Sequence, residues 1–278
     1  MKLLRHGPLG QEKAGAVDAD GQLRDLSLLV PDIRPEWLSP ERLGALQAID
    51  LKQMPLLPEG TRLGCPVGGI RQFVAIGLNY RKHAAESGLE PPMEPVVFNK
   101  ALTSLAGPDD TITMPEGSTA TDWEVELGFV IGTEARKVPV ASALAHVAGY
   151  ALANDVSERD WQIKRNGQWG KGKSFDGFGP VGPWLVTSDE LPDPQAIEIE
   201  LAVNGEVRQR SSTADMIFTV AEILSYLSQF MTLLPGDLVI TGTPHGVGLG
   251  MKPPTFLRRG DVMTLNGGPL GSQRQLVR

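Results

Sequence analysis

Two carboxylates sit two residues apart inside an apolar, strand-like run, Thr121-Asp122-Trp123-Glu124-Val125-Glu126-Leu127-Gly128-Phe129-Val130-Ile131. Successive side chains of a strand alternate faces, so Glu124 and Glu126 project together while Val125, Leu127, Phe129 and Ile131 take the opposite face. If the face carrying the acids is buried, a bound cation or basic partners must keep both ionised, because an unpaired buried carboxylate is costly. A third acid, Asp155, closes the apolar segment His146–Asn154 and would lie at the mouth of a sheet if that segment is a strand. Glu124, Glu126 and Asp155, with no His or Cys among them, form an all-oxygen donor set that suits Mg2+ or Mn2+ better than zinc or copper. Spacing alone does not decide the matter. Glu198 and Glu200 repeat it in Ile197–Val203, where alternation fits a half-buried strand with both acids facing water ahead of an Asn204-Gly205 hairpin turn.

Three other stretches carry chemistry. After the apolar strand Phe73–Leu78, His83 and Glu86 fall at i and i+3 if the chain turns helical. A carboxylate beside an imidazole fixes its tautomer and raises its basicity, as needed to take a proton from water; an ordinary solvated helix face would show the same pair. The polar, aromatic and Gly-rich stretch Arg159–Pro180 reads as a surface loop, in which Lys173 either holds an anionic oxygen or is simply solvated. In Ile240-Thr241-Gly242-Thr243-Pro244-His245-Gly246, a Gly-rich turn follows a strand, and its amides and the Thr243 hydroxyl either bind a carboxylate or form a plain tight turn.

The elements that must hold these groups follow from pattern. Asp20-Gly21 marks a hairpin between residues 14–18 and 22–26, Ser39-Pro40-Glu41 opens a short helix with Leu43, Leu46 and Ile49 on its apolar face, and residues 54–69 read as a connection. A small N-terminal β-rich domain over 1–65 and a larger domain over 66–278 are expected. Residues 145–154 suit a strand, although their alanines leave a helix open. The clearest helix follows Thr219, where Thr219 and Glu222 form a capping-box pattern ahead of Val220, Ile223, Leu224, Leu227 and Met231. Strands are expected at 237–241 and 261–265, giving a β-rich α+β fold.

Composition sets the remaining bounds. The chain has 278 residues, with 26 Lys plus Arg against 33 Asp plus Glu, a net charge of −7 and no long basic run. Nucleic acid and anionic membrane are therefore poor partners, and a small molecule is the default. Cys65 is the only cysteine, which excludes an internal disulfide and fits a reducing compartment. The opening Met1-Lys2-Leu3-Leu4-Arg5 has too little apolar length for a signal peptide, and the cytoplasm is the expected location.

Taken in order, Gly77-Leu78-Asn79-Tyr80 with His83 and Glu86, Glu124-x-Glu126, Asp155, Lys173-Ser174-Phe175-Asp176 and Thr241-Gly242-Thr243-Pro244 resemble the fumarylacetoacetate hydrolase family over roughly residues 70 to 278. The resemblance implies a mixed β-sandwich roll, a small N-terminal domain, a Mg2+ or Mn2+ cofactor and a homodimer. It implies Glu124, Glu126 and Asp155 as metal ligands, His83 and Glu86 as a water-activating pair on a mobile lid, and Lys173 as the group that stabilises enolate charge. Tyr80, Arg159, Gln162 and Thr243 are the implied substrate contacts. Gly177 and Gly179 depart from the larger residues of many relatives, a change that bears on the pocket wall.

The implied reaction is hydrolysis of a carbon–carbon bond in a 2,4-diketo acid, releasing pyruvate and a second acid. The N-terminal pattern, with Gly10-Gln11-Glu12-Lys13 and Asp18-Ala19-Asp20-Gly21, resembles a bacterial subgroup that includes 2,4-diketo-3-deoxy sugar acid hydrolases of the L-rhamnonate or L-fuconate type and proteins labelled ureidoglycolate lyase. Polar groups between Arg159 and Trp169 fit an oxygen-rich acyl end. Related metal sites also support oxaloacetate decarboxylation and hydroxymuconate-type isomerisation. A non-catalytic 2-oxo acid binding protein is the rival from another class, and it would require the proposed dyad or ligand residues to be missing.

Overall fold

Val125–Ile131 and Val147–Asn154 are buried along their whole length, because the sheet they form is covered on both faces. The computed structural model describes residues 1–278. Its main sheet has ten strands, in the order Leu23–Asp25, Lys13–Val17, Lys2–His6, Leu185–Thr187, Val147–Asn154, Val125–Ile131, Leu238–Ile240, Phe73–Gly77 and Val96–Asn99, with Leu63–Gly64 pairing Lys2–His6 off that path. All pairings are antiparallel except Leu238–Ile240 beside Phe73–Gly77.

Val125, Leu127, Phe129 and Ile131 do share one face, as alternation requires. With Tyr150 and Leu152 they pack against Ile199, Leu201, Met263 and Leu265 of a second, four-stranded antiparallel sheet and against Ile223, Leu224 and Leu227 of the helix Val220–Phe230. Val130, Ala151 and Ala153 point the other way, into a second core with Leu3, Ala16, Leu26, Val30, Leu38 and Leu43. This resolves residues 147–154 as a strand: its alanines lie where the N-terminal segment packs closely. The architecture is a β-rich α+β fold, as expected.

Local signals explain the supports. Thr219 accepts from the Glu222 amide and Glu222 from the Thr219 amide, completing the capping box; the helix stops at Phe230, ahead of Pro235-Gly236. Ser39 caps Pro40–Gln47, and Leu43 and Leu46 are buried as expected. Asn204 and Gly205 take positive φ values of 53° and 81° between two paired strands, and Glu198 on that hairpin is exposed. The N-terminal segment adds its strands to the main sheet through Lys2 opposite Val186. No helix is long and apolar enough to cross a membrane.

Candidate active site

Four strand ends meet at one edge of the main sheet. Glu124 enters one strand and Asp155 leaves its neighbour, with the Asp155 amide donating to the Glu124 carbonyl at 2.9 Å. Beside them, Leu238–Ile240 runs into Thr241-Gly242-Thr243, and Phe73–Gly77 runs through Leu78 into the helix Arg81–Glu86. Buried Asn79 ties the last two together: its side-chain amide donates to the Thr241 carbonyl at 2.8 Å and the Phe218 carbonyl at 3.0 Å.

Glu124, Glu126 and Asp155 are each at most 5% exposed, and one carboxylate oxygen from each lies within 4.8 Å of the others. Three buried cations surround them. Lys173 Nζ lies 2.6 Å from Glu124 and 2.7 Å from Asp155, Arg159 lies 2.7 Å from Glu124, and Lys100 Nζ lies 2.5 Å from Asp155. Arg159 also pairs with buried Asp122 at 2.7 Å. Four buried carboxylates thus face three cations, and Glu126 is the acid left without a basic partner. Its hydrogen bond comes from the Gly242 amide, at 2.7 Å. Gly242 reaches it with φ of +96°, where a Cβ would also lie 2.9 Å from the Asn79 Cβ.

The titration behaviour follows the same imbalance. Burial would raise the Glu124 carboxyl, but Lys173 and Arg159 outweigh burial and hold it down to about 2. Burial pushes Glu126 well above the usual carboxylate range, and Asp155 and Glu124 add to the effect. Burial works against the Lys173 ammonium, yet Asp155 and Glu124 raise it overall; for Lys100 burial prevails and lowers it. A buried all-oxygen cluster with one uncompensated carboxylate fits a hard dication, which would be held by Glu124, Glu126 and Asp155.

His83 and Glu86 face the same cavity, which measures about 530 Å³ and is also lined by Glu124, Glu126, Arg159, Gln162, Lys173 and Thr243. His83 Nδ1 lies 3.1 Å from Glu86 Oε2, while Glu86 Oε1 accepts from the Gly246 amide at 2.9 Å. Burial would raise the Glu86 carboxyl, but the His83 and Gly246 hydrogen bonds lower it overall. With Nδ1–H donated to Glu86, Nε2 keeps its lone pair as a proton acceptor. His83 is buried, so the solvated-helix alternative does not describe it.

The remaining sequence-based candidates are placed differently. Tyr80 is fully buried in the core, does not line the cavity, and its hydroxyl has no hydrogen-bond partner. Thr243 lines the cavity, but its hydroxyl donates to the Val125 carbonyl at 2.9 Å and accepts from Gln209. The carboxylate received by the Gly-rich turn is the protein's own Glu126. The stretch from Arg159 to Pro180 is more structured than a surface loop: it contains a helical turn, Asp160–Lys164, and a short helix, Gly170–Lys173, and it buries Arg159, Gln162 and Lys173. Arg159, an implied substrate contact, is committed to Asp122, Glu124 and the side-chain oxygen Oε1 of Gln162.

Lys100 and Asp122 were not among the expected site residues. Lys100 donates to Asp155, to the Lys173 carbonyl and to the Phe178 carbonyl. Asp122 accepts from the amides of Gly248 and Leu249 at 2.7 and 3.0 Å, fixing the turn beyond Gly246 against Arg159. A lone Lys after Val96–Asn99 gives no pattern to find; Asp122, two residues before Glu124 in the same run, gave the better signal.

Residues 72–278 match the family model described as fumarylacetoacetate (FAA) hydrolase C-terminal. A protein of Burkholderia ambifaria (strain MC40-6) named "Putative hydrolase" is 55% identical over 279 aligned residues, covering 100% of this chain and 99% of that protein. The solved structure of fumarylacetoacetate hydrolase from Exiguobacterium antarcticum is similar at 38% identity and a TM-score of 0.89, over 100% of this chain and 99% of that one. A 5-carboxymethyl-2-hydroxymuconate delta-isomerase from Mycobacterium smegmatis is similar at 32% identity and a TM-score of 0.79, over 100% and 98% of the two chains. By these matches, the chain belongs to the fumarylacetoacetate hydrolase family.

Proposed function

We propose that the protein is a metal-dependent hydrolase of 2,4-diketo acids that cleaves the bond between C3 and C4 and releases pyruvate. The observation that carries this reading is the pairing, in one cavity, of an acidic cluster with an uncompensated Glu126 and a His83–Glu86 dyad anchored by Gly246. Mg2+ or Mn2+ held by Glu124, Glu126 and Asp155 would supply electrophilic polarisation of the substrate's 2-oxo acid end and charge stabilisation of the departing enolate. His83 Nε2 takes a proton from water, and Glu86 stabilises the resulting imidazolium across Nδ1. Water oxygen bonds to C4, the C3–C4 bond breaks, and its electron pair passes into the pyruvate enolate, which is protonated to pyruvate; the other fragment leaves as a carboxylic acid. Lys173, raised and held between Glu124 and Asp155, places positive charge against the enolate. Arg159, paired with Glu124, and Gln162 line the same cavity.

An acyl half of the sugar-acid type remains supported by the N-terminal resemblance. The committed hydrogen bonds of Arg159 add nothing to it. Isomerisation of a hydroxymuconate-type diacid is the second reading, favoured by the similarity to the Mycobacterium smegmatis isomerase. Cytoplasmic location and a homodimer belong to the same proposal, and light scattering at working concentration tests the dimer. The functional test is pyruvate release from a panel of 2,4-diketo acids with Mg2+ or Mn2+; formation of an isomerised diacid without pyruvate would favour the second reading.

A further inference from the structure

The cavity extends well beyond its charged floor, and its outer wall is apolar. That wall begins at Phe98, whose ring lies 5.4 Å from Lys173 Nζ and meets Trp169 edge-on at 5.6 Å. Trp169 lies against Gly77: a Cβ built there would stand 2.2 Å from the indole Cζ3, so only glycine lets the ring occupy this position. Leu78 follows with φ of +53°, a left-handed conformation that costs a branched residue energy, and it lines the same cavity.

Leu89, Ile163 and Leu249 complete the rim, and at 50%, 49% and 39% exposure they are among the large apolar side chains the fold leaves open to water. Three such residues around one opening form a patch that a ligand would cover. The polar groups are unevenly placed. Arg159 and Lys173 belong to the charged floor, and Lys252, the remaining cation on the lining, is exposed and has no acidic partner in the structure. A solvated lysine holds a distal carboxylate weakly.

We infer that the outer half of the cavity, walled by Leu78, Phe98, Ile163 and Trp169, is a subsite for an uncharged apolar acyl group, aliphatic or aromatic, on the substrate. This rests on the proposed hydrolysis of 2,4-diketo acids and names the class of acyl end, an apolar one in place of the sugar-acid type that the N-terminal resemblance implied. The uncharged polar side chains on the lining are Ser87, Gln162 and Thr243; an added hydroxyl seated against Trp169 and Ile163 would shed water without gaining a partner from either of those two side chains.

The test is a matched pair, 2,4-dioxohexanoate and its 5-hydroxy counterpart, with benzoylpyruvate and a diacid, fumarylpyruvate, assayed for pyruvate release with Mg2+. The expected kcat/KM is about tenfold or more higher for 2,4-dioxohexanoate than for the hydroxylated partner, within the roughly hundredfold that an apolar pocket imposes on a hydroxylated isostere. In Trp169→Ala that ratio falls to about threefold or less and the KM for benzoylpyruvate rises at least about tenfold; Ile163→Ser, at an exposed rim position, shifts the ratio the same way without touching the core. Faster turnover of the hydroxylated acid or the diacid, or a preference unmoved by both variants, overturns the subsite while leaving the hydrolase reading intact. If no 2,4-diketo acid yields pyruvate, the hydrolase reading fails and calorimetric titration decides the subsite. Benzoylpyruvate must then bind more tightly than acetylpyruvate in wild-type protein and lose that advantage in Ile163→Ser; equal affinities overturn it.

Discussion

The Gly242 amide donates to Glu126 Oε2 at 2.7 Å, and no lysine or arginine pairs with that carboxylate. Glu124, two residues earlier on the same face, has both Lys173 and Arg159. The difference turns two acids of identical spacing into a compensated one and one that a dication would complete, which gives the first prediction. Glu126→Gln should abolish the rise in Tm on adding Mg2+ or Mn2+ and lower turnover sharply, while the metal-free fold stays at least as stable as wild type, because a neutral amide removes a buried uncompensated charge. Calorimetry with and without metal checks both halves.

The same imbalance fixes a pH dependence for metal-free protein. Folding raises the Glu126 carboxyl above its unfolded value, so the folded state binds the extra proton and stability falls as pH rises from the unfolded carboxylate value toward the higher folded one. Glu124 is depressed to about 2, so its contribution is present above the unfolded value near 4.5 and is lost as pH falls toward 2. Denaturant titrations from pH 4 to 8 should show wild type losing stability with rising pH relative to Glu126→Gln; parallel curves would contradict the assignment.

His83→Ala should lower kcat about 10² to 10⁴-fold, the usual range for removing general-base assistance, with little change in oxalate inhibition or metal affinity. Glu86→Gln should give a smaller loss, since the Gly246 amide still anchors one side-chain oxygen. A large loss of oxalate affinity in His83→Ala would instead place the imidazole among the metal ligands.

Lys100 is buried beneath the cluster and serves Asp155 and two carbonyls. Lys100→Met should destabilise the protein by about 2 kcal/mol, because two buried carbonyls lose their donor and Asp155 keeps only Lys173, a cation it shares with Glu124. Urea unfolding measures it, and wild-type stability in Lys100→Met would show that Lys173 alone compensates Asp155.

How much was legible in the sequence differs by element. Alternation in Val125–Ile131 correctly assigned faces, because the two covered faces of the sheet demand it. The Thr219–Glu222 box and the Asn204-Gly205 turn were readable because their hydrogen bonds are local. The partners of Glu124 come from residues 35 and 49 positions away, so spacing could not tell the Glu124–Glu126 pair from Glu198–Glu200. Only the order of motifs separated them. The segment Arg159–Pro180 reads as surface because it is polar, and residues 163–168 are indeed exposed, yet Arg159 and Lys173 on either side of them are buried against Asp122, Glu124 and Asp155. Tyr80 belongs to a local motif but points into the core. Lys100 was missed because its role depends wholly on contacts at least 55 residues distant.

The most direct measurement of the central claim is pyruvate release from acetylpyruvate and 2,4-dioxohexanoate by protein stripped with chelator, before and after adding Mg2+ or Mn2+. The account predicts no release above background in stripped wild type, full recovery with metal, and no recovery in Glu126→Gln at the same metal concentration. Undiminished release in the presence of chelator, or equal recovery in Glu126→Gln, would contradict it.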